Sequence, residues 1–350
     1  MNLDDPTAQI GEWLRNEGPD SDIVLSSRVR LARNLEDYQF PSRISEEDRK
    51  EAVTYITEAL SSSSIKPPLE YYSLNQMSET DREMLVERHL TSKEHSEASG
   101  ERGVAVSEDE SVAVMVNEED HLRIQVFRSA FRLEEAWSAV NELDDVIGSQ
   151  VNYAFSPEFG YLSACPTNVG TGLRASVMLH MPALAMSRQV DSFFRSVNRI
   201  NLAVRGLYGE GTEALGNLFQ VSNQVSLGKS EEEIIENLAS AIPQIVHYER
   251  QAREHLIDQS CEQVEDRVWR AFGMLKTART ISSNETLELL SHVRLGINVG
   301  LIDTVDIQTV NQLFVLTLPA HLQKIRGESL GPRERDIARA DFIRRVLGEP

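Results

Sequence analysis

Residues 111–127 read SVAVMVNEEDHLRIQVF. Val112, Val114 and Val116 alternate with Ala113 and Met115. After Asn117, Glu118, Glu119 and Asp120 the alternation resumes, with Leu122, Ile124 and Val126 on one face and Arg123 on the other. A period of two in both runs predicts two half-buried strands joined by a tight acidic turn, an antiparallel hairpin. The turn holds carboxylates and the polar face of the second strand holds a guanidinium, so the element that sets the fold also carries candidate chemistry.

The flanking sequence extends this reading. Residues 23–30 predict another strand, on which Arg28 and Arg30 share a face. Ser45 and Asp48, followed by Ala52, Val53, Ile56 and Leu60, predict a capped amphipathic helix, broken by the serines at 61–64 and by Pro67 and Pro68. A second helix is expected over 78–90, a mobile polar loop over 91–103, and a helix over 131–147. Residues 151–163, 173–181 and 214–227 read as strands. From Ser230, which with Glu233 forms a capping box before Ile234, Ile235 and Leu238, helical periodicity dominates, and Ser282 with Glu285 predicts another box. The fold class expected is α+β: a catalytic domain with a mostly antiparallel sheet over 1–255, then an α-helical domain over 256–350.

Composition narrows the function. The 350 residues carry 55 Asp and Glu against 35 Lys and Arg, a net charge of −20, which argues against direct nucleic-acid binding through a general basic surface. Of the 35 basic residues 29 are Arg, the side chain suited to two-pronged contacts with phosphate and carboxylate. No apolar run has the length of a membrane helix, and the first residues lack the pattern of a secretory signal. The two cysteines, Cys165 and Cys261, suit a reducing, cytoplasmic setting.

Common nucleotide motifs fail on inspection. GKS at 228–230 resembles the end of a phosphate loop, but position 223 is Asn where Gly is required, and Ser230 is explained as a helix cap. GTGLRA at 170–175 fits a dinucleotide pattern but leads into a strand, not a helix. What remains is SSRVR at 26–30, NEEDHLR at 117–123, and CPTNVGTGLRAS at 165–176, with a cysteine at its start and Arg174 towards its end.

SSRVRLARNL, NEEDHLRIQ, CPTNVGTGLRAS and RGLYGEGTE, in that order, resemble the ATP:guanidino phosphotransferases, and over its full length the chain is similar to the bacterial protein-arginine kinase (McsB) branch of that family. The resemblance implies an ATP-dependent kinase acting on guanidinium groups, with Mg²⁺ carried largely by phosphate oxygens and water. It places Arg28, Arg30, Arg123, Arg174 and Arg205 on the phosphates and His89 beside the base. The nucleotide site would extend to Ser26, Ser27, Val29, Ala175, Ser176, Val177, Met178, Gly206, Leu207, Tyr208, Gly209 and Glu210. Glu119 is implied as the carboxylate that grips and deprotonates the substrate guanidinium, Glu210 as a second substrate carboxylate, and Cys165 as an auxiliary.

The first arginine motif starts at Ser26, so the helical domain that precedes it in small-molecule members is expected to be missing, which favours arginine on a protein chain over free arginine. RDIARA at 335–340 resembles a phosphoarginine-binding motif of the protein-arginine kinases, implying a regulatory pocket from Arg335, Asp336, Arg339 and Ala340. Family partners would be an McsA-type activator, a ClpC-type unfoldase and a CtsR-type repressor, with marking of proteins for Clp-dependent degradation in stress responses. Self-association as a homodimer or larger homo-oligomer is implied too. The alternatives are a kinase for free arginine or another small guanidino compound, and a non-catalytic phosphoarginine-binding adaptor.

Overall fold

A computed structural model describes the chain except residues 1, 2, 4, 62, 63, 191, 192, 195, 196, 198, 208–213, 349 and 350. Its centre is an eight-stranded antiparallel sheet in the order β2-β3-β4-β5-β1-β8-β10-β9. The strands are β1 Val24–Arg33, β2 Leu69–Ser73, β3 Gly103–Ser107, β4 Val112–Val116, β5 Leu122–Ser129, β8 Leu173–His180, β9 Leu202–Gly206 and β10 Leu218–Asn223. A small hairpin, β6 Phe155–Ser156 and β7 Gly160–Tyr161, stands apart. The 111–127 hairpin forms in the expected register, with Val116 opposite Leu122 and Val112 opposite Val126.

The period-two pattern separates two layers. Val29, Leu31, Val114, Ile124, Val126, Ala175 and Val177 are buried in a core shared with helices α1 Glu46–Leu60 and α4 Leu133–Gly148 and with the first turns of a long helix, α6 Glu231–Thr277. A second core joins Phe127, Met178 and Leu218 of the sheet to helices α7 Ser283–Asn298, α8 Ile307–Leu316 and α10 Pro332–Leu347. Helix α9 Pro319–Arg326 packs on α2 Glu79–Glu87.

Several local expectations are corrected. The polar stretch 91–103 holds a short helix, α3 Lys93–Glu97, with Ser92 accepting from the His95 amide at 3.1 Å as its cap. Residues 151–163 supply only the two-residue strands of the small hairpin, and 214–227 only β10. Strands β2, β3 and β9 are additions; so is α5, Pro182–Met186, with the proline at its first position. The Ser230–Glu233 capping box is present in both directions. At Ser282 only the side chain's acceptance from the Glu285 amide is recorded. The boundary drawn at 255 falls inside α6, shortly before that helix breaks at Ser260, where φ is −147°.

One buried group ties the C-terminal helices to the sheet. Arg294 on α7 is fully buried and donates to the carbonyls of Ser21 (2.9 Å) and Asp22 (3.0 Å), to Asn311 Oδ1 (3.1 Å) and to Asn16 Oδ1 (3.2 Å); its Nη1 lies 3.0 Å from His180 Nδ1. Asn16, Ser21 and Asp22 lie before β1, His180 ends β8, and Asn311 is on α8. Burial, with Arg253 nearby, lowers the Arg294 pKa to about 9. Removing a buried cation from a satisfied network strands its acceptors. Arg294→Met is therefore expected to cost about 3 kcal/mol of unfolding free energy, read from urea denaturation; a midpoint equal to the parent's would show that the network does not anchor the helices.

Candidate active site

The polar face of the central strands carries a row of arginines. Arg28 and Arg30 point the same way on β1; Arg30 lies directly opposite Arg174 of β8, and Ala32 opposite Arg123 of β5. With Glu119, Cys165, Arg205 and Gln220 these line one open cavity of about 320 Å³. Among the described residues Arg28, Arg30 and Arg174 make no ion pair with a carboxylate. Arg28 donates to Gln220 Oε1 at 2.8 Å and Arg174 to Ser222 Oγ at 3.3 Å. The Nε atoms of Arg30 and Arg174 are buried without a hydrogen-bond partner. Burial, then the repulsion of Arg174 and Arg123, depresses the Arg28 pKa to about 10. Arg30 is pushed well below its ordinary value by burial and by Arg28, Arg123 and Arg174. Like charges desolvated together disfavour one another, so the cluster is built for an anion.

The acidic turn faces this row. Arg123 donates to Glu119 at 3.0 Å and to Glu118 at 3.0 Å, and Ser92 holds Glu118 at 2.8 Å. Partial burial raises the Glu119 pKa; Arg123 opposes that, Asp120 and Glu118 add to it, and a hydrogen bond with Cys165 lowers it. Cys165 Sγ also lies 3.0 Å from Thr167 Oγ1.

The turn and the cysteine loop are locked together by Asp120, which sequence reasoning left unassigned. It is fully buried and accepts from Asn34 Nδ2 (2.6 Å), Ser163 Oγ (2.9 Å) and the Ala164 amide (2.8 Å). The glycines of the loop fit where a side chain could not. A Cβ on Gly172, at φ +67°, would lie 2.6 Å from the Ala32 carbonyl oxygen, and one on Gly170, at φ +111°, 2.8 Å from Leu227 Cα. Arg33, also unassigned, donates to Asp144 at 2.7 Å and to the Thr171 carbonyl at 2.8 Å, stacking its guanidinium 3.5 Å over the Tyr161 ring.

At the far end of the row, Trp13, Ser26, His89, Phe127, Ser176 and Met178 line a small pocket that shares Arg28 and Gln220 with the cavity. The His89 ring stacks edge-on against Trp13 at 5.1 Å, and burial drives its pKa to about 3, so it is neutral. Trp13, Phe127 and Gln220 carried no recognisable local signal; the sheet register brings Phe127 and Gln220 here, and the helical turn Glu12–Leu14 brings Trp13.

Not every expected residue is on this face. Ser27, Val29, Ala175 and Val177 alternate to the other side, where Ser27 Oγ donates to the Ala130 carbonyl at 2.9 Å and the other three lie in the core. Their side chains therefore do not line the cavity, because a period-two strand sends neighbours to opposite faces. Gly206 pairs with Phe219, and the Leu207 amide donates to Leu218 O at 2.9 Å, so both serve the sheet edge. Tyr208, Gly209 and Glu210 lie outside the described residues.

The second constellation is also divided. Arg339 is buried, donating to the carbonyls of Thr317 (2.8 Å) and Ile281 (2.8 Å) and to Asp336 (2.6 Å), and Ala340 lies in the second core. Arg339 and Ala340 thus face inward, while Arg335 and Asp336 stay partly accessible.

Comparison with known proteins agrees with this arrangement. Residues 51–252 match the family model for the ATP:guanido phosphotransferase C-terminal catalytic domain, and 261–349 that for the protein-arginine kinase McsB C-terminal domain. The chain is 48% identical over 338 residues to a protein-arginine kinase of Halothermothrix orenii, covering 97% of each chain. It is 49% identical over 338 residues to that of Symbiobacterium thermophilum, covering 96% of each. Among solved structures, the duplicated taurocyamine kinase of Schistosoma mansoni with bound transition-state analogue components superposes with a TM-score of 0.61 at 29% identity, over 72% of this chain and 35% of that one. The chain belongs to the protein-arginine kinases, a branch of the ATP:guanidino phosphotransferase family.

Proposed function

We propose that the chain transfers the γ-phosphoryl group of ATP to arginine side chains of proteins, with Arg28, Arg30, Arg123, Arg174 and Arg205 on the phosphates and Glu119 on the acceptor. One observation carries this reading: a carboxylate faces half-buried arginines, three of which pair with no carboxylate among the described residues, inside one cavity. Strand β1 sets the order, with the base pocket at Ser26, phosphate at Arg28 and Arg30, and the guanidinium beyond Ala32. Phosphoryl transfer depends on alignment and charge neutralisation, and a row of guanidinium groups supplies both. Their donors suit phosphate and repel cations, so magnesium would travel on the nucleotide's oxygens.

The acceptor needs activation, because a guanidinium is charged and delocalises its lone pairs. Glu119 already accepts from one guanidinium, that of Arg123. With Arg123 drawn to phosphate, the same carboxylate can orient the substrate group and take its proton as the new bond forms. Glu119→Gln is expected to lower kcat about a thousandfold while leaving KM for ATP within about threefold. Since the Glu119 pKa is raised, the parent's rate should fall with decreasing pH at a higher pH than an ordinary glutamate gives. Near-parental turnover of Glu119→Gln, or a rate unchanged down to pH 4, would remove Glu119 as the base.

The domain division at 255/256, with the C-terminal part serving self-association, belongs to the same proposal, as does a cytoplasmic setting; no helix among the described residues is long and apolar enough to cross a membrane. Arg335 and Asp336 are proposed as the accessible part of a phosphoarginine pocket. Arg335→Ala should weaken phosphoarginine binding at least tenfold by calorimetry without lowering basal turnover; unchanged affinity would dismiss the pocket. The downstream role would be marking proteins for Clp-dependent degradation, with McsA-, ClpC- and CtsR-type partners. A purified substrate should be degraded by a ClpC-type unfoldase with its peptidase only after treatment with the chain and ATP. Equal degradation of untreated substrate would refute this.

A further inference from the structure

The segment that supplies Cys165, Thr167, Asn168 and Gly172 to the cavity is flanked by two loops that expose large apolar side chains. Beyond β1 the chain pairs with the small hairpin: the Ala154 amide donates to Asn34 O at 2.7 Å, and Leu35 bridges Tyr153. That hairpin exposes Phe155 at 57% and Phe159 at 48%. On the other side the turn after β10 exposes Val225 at 46% and Leu227 at 50%. Both loops press on the segment between Cys165 and Gly172. The Tyr161 amide donates to Gly170 O at 2.8 Å, and a Cβ on Gly160 would lie 2.5 Å from that same oxygen. Ser226 Oγ donates to the carbonyls of Thr167 and Val169, both at 2.9 Å, and Gly170 abuts Leu227.

The rim is held in shape. Phe155 packs on Tyr161 at 5.2 Å between ring centroids, and Tyr161 lies beneath Arg33, itself fixed to Asp144. Exposed aromatic groups on a braced hairpin are already ordered, so covering them gains apolar burial with little ordering cost. Four of the ten large apolar side chains exposed among the described residues sit on these two loops. Isolated exposed apolar groups are ordinary; grouping beside the site a substrate must reach calls for an occupant.

We propose that Phe155, Phe159, Val225 and Leu227 form a docking rim for the polypeptide around the target arginine, selecting arginines flanked by apolar or aromatic residues in extended, unfolded chain. This rests on the protein-arginine kinase reading above. An arginine seated at Glu119 and Cys165 brings its own backbone over the loops that frame that end of the cavity, so the rim's occupant is the substrate chain. Such neighbours are buried in folded proteins, so the rim favours chains that have lost their fold. The rim touches neither the arginine row nor the base pocket, so it sets affinity for the peptide and not the rate of transfer.

The test uses the full chain with ATP and Mg²⁺ on two synthetic peptides, each with one central arginine, flanked by Leu and Phe in one and by Ser and Gly in the other. Phosphoarginine is followed by mass spectrometry. The apolar peptide should show a KM about tenfold lower, the equivalent of covering two or three such side chains in part. Phe155→Ser with Phe159→Ser, and separately Leu227→Ser, should each raise KM for the apolar peptide severalfold. Their kcat, KM for ATP and kinetics on the serine-flanked peptide should match the parent, which also shows that the variants fold. Equal KM values for the two peptides with the parent enzyme would overturn the rim, as would variants that slow both peptides alike. If the parent phosphorylated neither peptide while hydrolysing or binding ATP, the proposed reaction itself would fail, and the rim with it.

Discussion

Everything in the catalytic half depends on the enforced proximity of cations that would separate if they could. Arg28, Arg30 and Arg174 are desolvated on a rigid sheet, and that burial, with neighbouring guanidinium groups, lowers the affinity of each for a proton. In an unfolded chain they would drift apart into water. The sheet prevents that, because the register of Arg30 against Arg174 is fixed by two continuous ladders and by the core beneath. Stability spent on keeping the charges together returns as affinity for a polyanion, which is what preorganised electrostatics means here. A net charge of −20 over the whole chain sharpens the contrast with the five arginines gathered in this one cavity.

The same ladders explain why one strand can be both site and core. On β1 the odd residues Val29 and Leu31 seal the helical layer while Arg28 and Arg30 face the cavity. A one-residue slip would exchange these sets, burying two arginines among aliphatic side chains, so folding correctly and building the site are a single constraint. Asp120 extends that logic to the loops. Its hydrogen bonds to Asn34, Ser163 and the Ala164 amide set the Glu119 turn against the Cys165 loop, fixing Glu119 relative to the arginine row.

Much of this was legible in the sequence where pattern and chemistry coincided. The 111–127 alternation, the shared face of Arg28 and Arg30, and the Ser230 cap follow from local rules that tertiary contacts did not override. β2 was missed because LEYYS lies at the sheet edge, mostly half-buried, with no apolar and polar contrast to read. Within the motif segments, alternation alone separates Val29 and Val177, whose side chains lie in the core, from Arg28 and Ser176 on the cavity face. Asp120 was unreadable for another reason. Beside Glu118 and Glu119 it looks like a third turn carboxylate, and only Asn34 and Ser163, distant in sequence, make it structural. Arg339 reverses the usual inference: a charged residue in a helical RDIARA segment reads as exposed, yet three carbonyl and carboxylate partners repay its burial.

The C-terminal helices are part of the nucleotide end of the site by construction. Trp13, Phe127 and Met178, which line the pocket proposed for the base, belong to the same apolar cluster as Val268, Leu290 and Phe314. Helix α2, which leads directly to His89, is gripped by α9. Glu87 accepts from the amides of Ala320 (2.8 Å) and His321 (3.1 Å), and Lys324 reaches Asp81 at 2.7 Å. His321 is neutral, burial outweighing Glu87, and that state fits its neighbours. Its Nδ1–H donates to Glu87 at 2.6 Å, while Nε2 accepts from Arg88 Nε at 3.0 Å, and Arg88 also pairs with Glu110. Protonated His321 could not accept from Arg88, so neutrality is required for both bonds to stand. The residue after Arg88 is His89, held at φ +61° against Trp13. A displacement of α9 therefore cannot leave the base pocket unchanged, since α2, Arg88 and the left-handed turn at His89 move on one set of bonds.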